Sequence, residues 1–194
     1  MTEGQGCIVQ LAALGLLPED VRFVVPSHLH SDHTSAIGRF PNATHVVWRR
    51  EYEYAFSPDW FAAAAYARKN FDGPGLKWQF LEGDVADNYD LYGGGVLRTV
   101  YAPGHTLGDQ SLIVTLHNSG AILLAADAVY TMDHWNEKAL PGFVASAVES
   151  VWSVRKLRAP VVQFQHSHPV AASTFANVSF RTTSKYMILV GIWI

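Results

Sequence analysis

The sequence has only one cysteine, Cys7, and this scarcity excludes two kinds of structure. A chain with one cysteine forms no internal disulfide, and it lacks the thiolates of a cysteine-based zinc site. Charge is scarce too, since Asp, Glu, Lys and Arg make up 16% of the 194 residues and the formal net charge is -3. Without a long basic or acidic run, the sequence offers nothing typical of proteins that bind nucleic acid or anionic membranes.

Long apolar runs are also missing, because no stretch reaches the ~18 residues of a membrane span. The apolar stretch at 7–17 has neither the basic start nor the small-residue cleavage site of a secretion signal. Together with the single cysteine, these features favour a cytoplasmic location. A hydrophobic content of 49% is sufficient for the core of one domain. The oligomeric state stays open.

Hydrophobic patterning predicts an alternation of helices and strands. Helices are expected at 7–17, 49–56, 58–70 and 143–158, and strands at 21–26, 45–48, 78–81, 96–101, 111–116, 121–125 and 161–165. A turn at 117–120 predicts a hairpin, whereas helices separate several of the other strands. The predicted fold class is therefore α/β, with layers of helices on a mixed sheet.

The run HLHSDH at 28–33 directly follows the first predicted strand. In an extended segment, side chains two residues apart point the same way, so His28 and His30 can reach one metal ion. Asp32 and His33 lie where the chain must turn, and they can serve a neighbouring ion. Imidazole and carboxylate are ligands that zinc-type ions prefer. A polar loop without metal is the competing interpretation, but three further strand ends argue against it.

Each of these three strand ends carries a further potential metal ligand. His105 follows the strand at 96–101, Asp127 follows the strand at 121–125, and His166 follows the predicted strand at 161–165. A rigid sheet that delivers ligands from several strand ends is a common way to build a metal site. The pattern therefore predicts one constellation rather than scattered histidines.

These residues resemble the metallo-β-lactamase superfamily, whose signature is His-x-His-x-Asp-His followed by later His, Asp and His ligands. Within it, the chain is most similar to the N-acyl-homoserine lactonases. The segments REYE at 50–53, PGHTLGDQSL at 103–112 and DAVY at 127–130 carry that finer likeness. The resemblance implies a metallo-β-lactamase-like αβ/βα sandwich.

The resemblance also implies two divalent metal ions, with zinc expected and manganese, iron and cobalt left open by such ligands. The implied ligands form two sets with one bridge between them: His28, His30 and His105; Asp32, His33 and His166; and Asp127 as the bridge. His166 has the family's spacing after Pro160, and His168 is the alternative last ligand.

The implied reaction is hydrolysis of the ring of a small-molecule lactone. A hydroxide shared by the two ions would attack the carbonyl carbon while one ion polarises the carbonyl oxygen. Asp32 would also pass a proton to the leaving alcohol. Tyr130 is either the family tyrosine that hydrogen-bonds the substrate or a buried core tyrosine. Hydrolysis of a thioester, β-lactam or phosphodiester and a non-catalytic remnant are the competing functions.

The sequence departs from the family at both ends. The family's usual N-terminal strands have no counterpart before residue 18, and residues 175–194 lack the usual ending and close on an uncharged apolar run. We therefore expect a single N-terminally truncated domain over 1–194 with an atypical tail at 175–194. Missing strands would expose a sheet edge and loosen the ligands. The apolar tail is expected to promote aggregation if it is exposed.

Overall fold

Two five-stranded sheets face each other at the centre of the protein. The computed structural model describes residues 6–83, 88–117, 120–163, 169–170, 179–181 and 187–191, with side chains described no further than residue 159. The strands are β1 (Val21–Pro26), β2 (Thr44–Trp48), β3 (Lys77–Leu81), β4 (Asn88–Asp90), β5 (Leu97–Tyr101), β6 (Gln110–Leu116), β7 (Gly120–Leu124), β8 (Pro169–Val170), β9 (Ser179–Arg181) and β10 (Met187–Gly191).

The helices of the described residues are fewer than the strands, and the helix Ala147–Gln163 is the longest element. They are α1 (Cys7–Ala13), α2 (Ser31–Thr34), α3 (Arg49–Phe56), α4 (Met132–Trp135) and α5 (Ala147–Gln163). Single 3-10 turns lie at Pro18–Asp20, Ile37–Arg39, Ala63–Ala65, Arg68–Asn70 and Ala126–Ala128. Within the described stretches, no helix combines the length and the apolar character needed to cross a membrane.

The two sheets differ in the direction of their strands. The first has the order β3-β2-β1-β10-β9, in which only the β9–β10 pair is antiparallel. The second has the order β4-β5-β6-β7-β8, in which only the β7–β8 pair is parallel. The β6–β7 pair is the hairpin predicted from the turn at 117–120.

Alternating side chains let each sheet pack on both faces, because successive residues of a strand point in opposite directions. Val25 of β1 and Leu124 of β7 lie in the core between the sheets. Their neighbours point outward: Val24 packs with α1, and Leu123 packs with α5. The order helix, sheet, sheet, helix confirms the αβ/βα sandwich and the α/β class expected from the sequence.

Residues 58–70 do not form the predicted helix. They contain two separate 3-10 turns, and Tyr66 between them has an extended backbone with φ -99° and ψ 119°. This conformation brings the Tyr66 hydroxyl within 3.4 Å of Glu51 and its ring against His30. The helical preference of alanine is worth less than about 1 kcal/mol per residue, so these tertiary contacts outweigh it.

Helix α5 begins later and ends later than predicted. The residues before it are bound to the loop after β5, where the Ala145 N–H donates to the Gly104 carbonyl at 2.8 Å. The Ser146 hydroxyl then caps the helix by accepting from the Glu149 N–H at 3.2 Å. Because α5 includes residues 161–163, the strand predicted at 161–165 is wrong there. A short apolar run is compatible with either a buried strand or a buried helix.

Strand β10, part of the apolar tail, covers one edge of β1. Its backbone pairs in parallel with β1, from Val21 with Met187 to Pro26 with Gly191. The apolar run expected to promote aggregation thus supplies the hydrogen-bonding partner that the backbone of β1 needs. Apart from β9 and β10, residues 175–194 lie outside the described residues.

The side chain of Gln110, the first residue of β6, joins the two sheets. It is fully buried, and its amide group donates to the carbonyls of Pro26 at 2.7 Å and Val46 at 3.0 Å. The backbone N–H of Gln110 donates to the Ser27 carbonyl at 2.9 Å. The second sheet is therefore fastened to β1 and β2 at the end where the predicted ligands lie.

Candidate metal centre

Five of the predicted ligands come together at one end of the two sheets. His28 and His30 follow β1, and His33 lies beside them in α2. His105 lies in the loop after β5, and Asp127 lies in the 3-10 turn after β7. All five are buried, with exposed fractions of 9% or less.

Three imidazoles form one possible ligand set. The Nδ1 atom of His30 lies 3.0 Å from Nε2 of His28 and 3.0 Å from Nε2 of His105. Ligand atoms that share an ion at about 2.0–2.1 Å lie roughly 3 Å from each other, so these three nitrogens suit one ion. They are the residues that the resemblance implies for the first metal.

A second set contains His28, His33 and Asp127, whose ligand atoms lie within 4.8 Å of one another. The Oδ2 atom of Asp127 is 3.3 Å from Nε2 of His105 and 3.5 Å from Nε2 of His33. It therefore contacts both sets, as the expected bridge would. Ala126 before it has a φ of 49°, a disfavoured conformation for a residue with a Cβ.

The outer nitrogens of these rings also have partners. Ser27 Oγ lies 3.0 Å from Nδ1 of His28 and 3.3 Å from Nδ1 of His33. The Nδ1 atom of His105 lies 3.3 Å from the Phe143 carbonyl. Hydrogen bonds of this kind fix the orientation of a metal-binding imidazole and choose which nitrogen faces the ion.

Burial places these groups in the protonation states that metal binding requires. Burial, followed by the nearby histidines, lowers the pKa of His28 well below its ordinary value and the pKa of His30 to about 3. Burial also lowers the pKa of His105. Burial opposes ionisation of Asp127, but the hydrogen bond from His33 and the charges of His33 and His105 lower its pKa overall. The neutral form is thus favoured for His28, His30 and His105, and the ionised form for Asp127.

A buried carboxylate behind the cluster supports the fit of a cation. Asp109 is fully buried, and neither of its oxygens has a hydrogen-bond partner among the described residues. Burial, followed by the charges of Asp127 and Glu51, raises the pKa of Asp109 well above its ordinary value. Buried charges are ordinarily paired or bound near metals. With the nitrogen and oxygen donors in front of it, this carboxylate suits a site for divalent metal.

Asp32 is the predicted ligand that stands apart. Its side chain is 62% exposed, and its Oδ2 atom lies 3.5 Å from Nε2 of His33. It belongs to neither of the two sets of clustered ligand atoms. The structure therefore brings Asp32 to the rim of the centre rather than into it.

Tyr130 lies at the site and is not a core tyrosine. It is half-buried, and its hydroxyl is 3.1 Å from Nδ1 of His105 and hydrogen-bonded to Asp127. Burial, followed by the charge of Asp127, raises the pKa of Tyr130. Its hydroxyl therefore keeps its proton, which it donates to the Asp127 carboxylate.

The last predicted ligand cannot be placed. His166 and its alternative His168 both lie outside the described residues. The segment predicted as the strand before His166 is helical as far as Gln163. The assignment of His166 as a metal ligand stays a prediction.

A cavity of about 110 Å³ opens beside the cluster. His30 and His105 contribute to its wall, and Phe61, Tyr66 and Phe143 supply aromatic surface. An apolar pocket with a few convergent polar groups is typical of small-molecule sites. The sequence interpretation missed Glu51 and Asp109 at the back of the centre, although both lie in segments that carried the family likeness.

Comparison with known proteins identifies the family. The model of the metallo-beta-lactamase superfamily matches residues 1–166. The chain belongs to this superfamily. Its two-sheet sandwich and the cluster of His28, His30, His33, His105 and Asp127 agree with that membership.

Relatives within the superfamily are lactonases. The chain is 65% identical over 158 residues to the N-acyl homoserine lactonase AttM of Azorhizobium caulinodans, covering 81% of this chain and 60% of that protein. It is 30% identical over 171 residues to the N-acyl homoserine lactonase AiiA of Bacillus thuringiensis subsp. kurstaki, covering 86% and 64%. The chain thus spans about 60% of the length of the AttM relatives.

A solved structure shares the fold as well. An N-acyl homoserine lactone hydrolase with N-hexanoyl-L-homoserine bound at its catalytic metal centre superposes with a TM-score of 0.73. The two sequences are 29% identical, and the match covers 88% of this chain and 62% of that one. The predicted resemblance to the lactonase branch is confirmed.

Proposed function

We propose that this metallo-β-lactamase-fold chain is a metal-dependent hydrolase that opens the lactone ring of N-acyl homoserine lactones. The observation that carries the proposal is the convergence of His28, His30, His105 and Asp127 on one buried point beside a cavity. The 65% identity to a lactonase then favours a lactone over other substrates of the superfamily. Such an enzyme acts as a quorum-quenching lactonase.

Two divalent ions are the proposed cofactors, and zinc is the proposed metal because the donor set is rich in imidazole. The proposed ligands are His28, His30, Asp32, His33, His105, Asp127 and His166. Bound ions of this kind lower the pKa of water to near neutral and polarise a carbonyl group. Asp127 contacts both sets of ligand atoms and is the proposed bridge.

Tyr130 is proposed to orient the substrate. Its protonated hydroxyl, already at the site beside His105 and Asp127, can turn its single hydrogen from Asp127 to a substrate oxygen. Charge develops on the carbonyl oxygen as water adds to the carbonyl carbon, so a donor placed there stabilises the transition state.

Asp32 is proposed to transfer a proton from the added water to the leaving oxygen. As the C–O bond of the ring breaks, the leaving oxygen needs the proton that the added water releases. The carboxylate of Asp32 is at the rim, 62% exposed and 3.5 Å from His33, where it can accept that proton and pass it on. The product is an open-chain hydroxy acid, and no other reactant is consumed.

The aromatic walls of the cavity, Phe61, Tyr66 and Phe143, are proposed to hold the apolar part of the substrate. We also propose a cytoplasmic location, which the single buried cysteine, free of any internal disulfide, favours.

Metal analysis and hydrolysis measured on the same sample of full chain test the proposal. We expect about two metal ions per chain and acid release from N-hexanoyl homoserine lactone, recorded with a pH indicator. Removing metal with a chelator should abolish the signal, and adding zinc should restore it. Clear turnover of a thioester without lactone turnover would favour another superfamily hydrolase. Folded protein that stays metal-free after zinc is supplied would favour the non-catalytic remnant.

A further inference from the structure

Glu51, the third residue of α3, is an ionisable side chain with no exposed surface. Its two oxygens accept hydrogen bonds from two different loops. The Leu29 N–H donates to Oε1 at 2.9 Å, and the Gly108 N–H donates to Oε2 at 3.1 Å. Leu29 lies between two of the clustered histidines, and Gly108 lies in the loop that carries His105. One carboxylate therefore joins the two segments that supply the first ligand set.

Tyr66 extends this connection to a ligand ring. Its hydroxyl donates to Oε1 of Glu51 at 3.4 Å. Its ring lies against the His30 imidazole, with centroids 4.7 Å apart and an interplanar angle of 66°. Glu51 thus holds the backbone next to His30 and also the aromatic ring that packs on its side chain.

Gly108 shows how closely the loop and the helix approach. A Cβ added there would lie 2.3 Å from the Glu51 nitrogen and 2.4 Å from its Cβ. Atoms overlap at these distances, and moving backbone atoms aside would cost substantial free energy. The loop that carries His105 therefore packs directly against the start of α3.

We propose that Glu51 is a positioning residue that fixes the spacing between the 28–30 segment and the His105 loop, and so sets the affinity of the cluster for divalent metal. Ligands must be held within about 0.5 Å of their productive positions. Groups that orient ligands typically change metal affinity or activity by about 10–100-fold when they are lost. The inference rests on the proposed metal site and is independent of the substrate.

Cobalt(II) titration of the metal-stripped full chain tests the role of Glu51. Glu51→Gln keeps the size of the side chain, but an amide has one acceptor oxygen, so one of the two loop N–H groups meets an NH2 donor. We expect an affinity about 10–100-fold lower in competition with a chromophoric chelator, with a changed visible spectrum of the bound cobalt. Glu53→Gln is the matched control, because Glu53 lies on the same helix with its side chain 65% exposed. It should bind cobalt like the wild type.

Tyr66→Phe is a milder second variant that removes one donor to Glu51 and keeps the ring on His30. It should weaken cobalt binding a few-fold, and it serves as the test if Glu51→Gln does not fold. If the folded variants bind cobalt with the affinity and spectrum of the wild type, the inference about Glu51 is wrong, even if their melting temperature is lower. The proposed function would still stand. If the wild type does not bind cobalt, both the proposed metal site and the inference about Glu51 are wrong.

Discussion

The Nδ1 atom of His28 lies 3.8 Å from Oδ1 of Asp109, and both side chains are fully buried. The same imidazole faces the ligand cluster with its other nitrogen. A carboxylate behind a metal-binding histidine raises the basicity of the ring and adds favourable charge for the ion.

Replacing Asp109 with asparagine should therefore weaken zinc binding while the protein stays folded. A bound cation would favour the ionised form of Asp109, so loss of this carboxylate behind His28 should lower the affinity by about 10-fold or more, measured by competition with a zinc chelator. Asp133→Asn, at an exposed position of α4, is the matched control. An Asp109→Asn protein that binds zinc like the control would show that this carboxylate does not act on the site.

His105→Ala should remove most lactone hydrolysis. The substitution takes one of three nitrogens from the first ligand set and also removes a neighbour of Asp127. We expect a fall in kcat/KM of more than about 100-fold together with a lower metal content. His117→Ala, at the exposed turn residue that follows β6, should behave like the wild type. Full metal content and activity in His105→Ala would contradict the ligand assignment.

The last ligand can be chosen by a pair of substitutions. His166→Ala should lower the metal content and the activity strongly, whereas His168→Ala should leave both near the wild-type level. Metal analysis and lactone hydrolysis on the two purified variants separate the possibilities. The reverse pattern would assign the ligand to His168.

Tyr130→Phe should lower kcat by about 10–100-fold without changing the metal content. The ring still fills its place, but the donor beside His105 and Asp127 is gone. Steady-state kinetics with metal analysis of the same preparation measure both quantities. A parallel loss of metal and activity would instead make Tyr130 a support for the ligands.

His45 should make stability depend on pH at a distance from the metal centre. Its ring nitrogens lie 3.0 Å from the Ile37 carbonyl and 3.1 Å from the Lys77 carbonyl. Burial lowers the pKa of His45, and the two carbonyls oppose that shift only partly. The unfolded chain, with a pKa near 6.5, takes up a proton that the folded chain resists. The stabilising contribution is therefore complete above pH 6.5 and is lost as the pH falls below it.

Urea unfolding of the wild type and His45→Gln isolates this effect. The stability advantage of the wild type should shrink by up to about 1 kcal/mol between pH 7.5 and pH 5.5. It should stay constant between pH 7.5 and pH 9, where the imidazole is neutral in both states. An advantage that grows on acidification would show that His45 is favoured in its charged form.

The strands and the ligand cluster could be predicted because their signals are local. The valine-rich strand β1 and the HLHSDH run after it are adjacent in sequence, and alternating apolar residues mark most other strands. Residues 58–70 were not predictable, since Tyr66 leaves the helical path for contacts with distant side chains. The role of Glu51 was hidden for the same reason: its partners Leu29 and Gly108 are 22 and 57 residues away in sequence.

The crosslink made by Gln110 bears on how substrate can enter. A sheet that slides over its neighbour would break the bonds from this amide to Pro26 and Val46, whose carbonyls would be left buried without donors. Shear between the sheets is therefore a costly motion at this end of the molecule. Phe61 and Phe143 of the cavity wall lie outside the strands, so this crosslink does not restrain them directly.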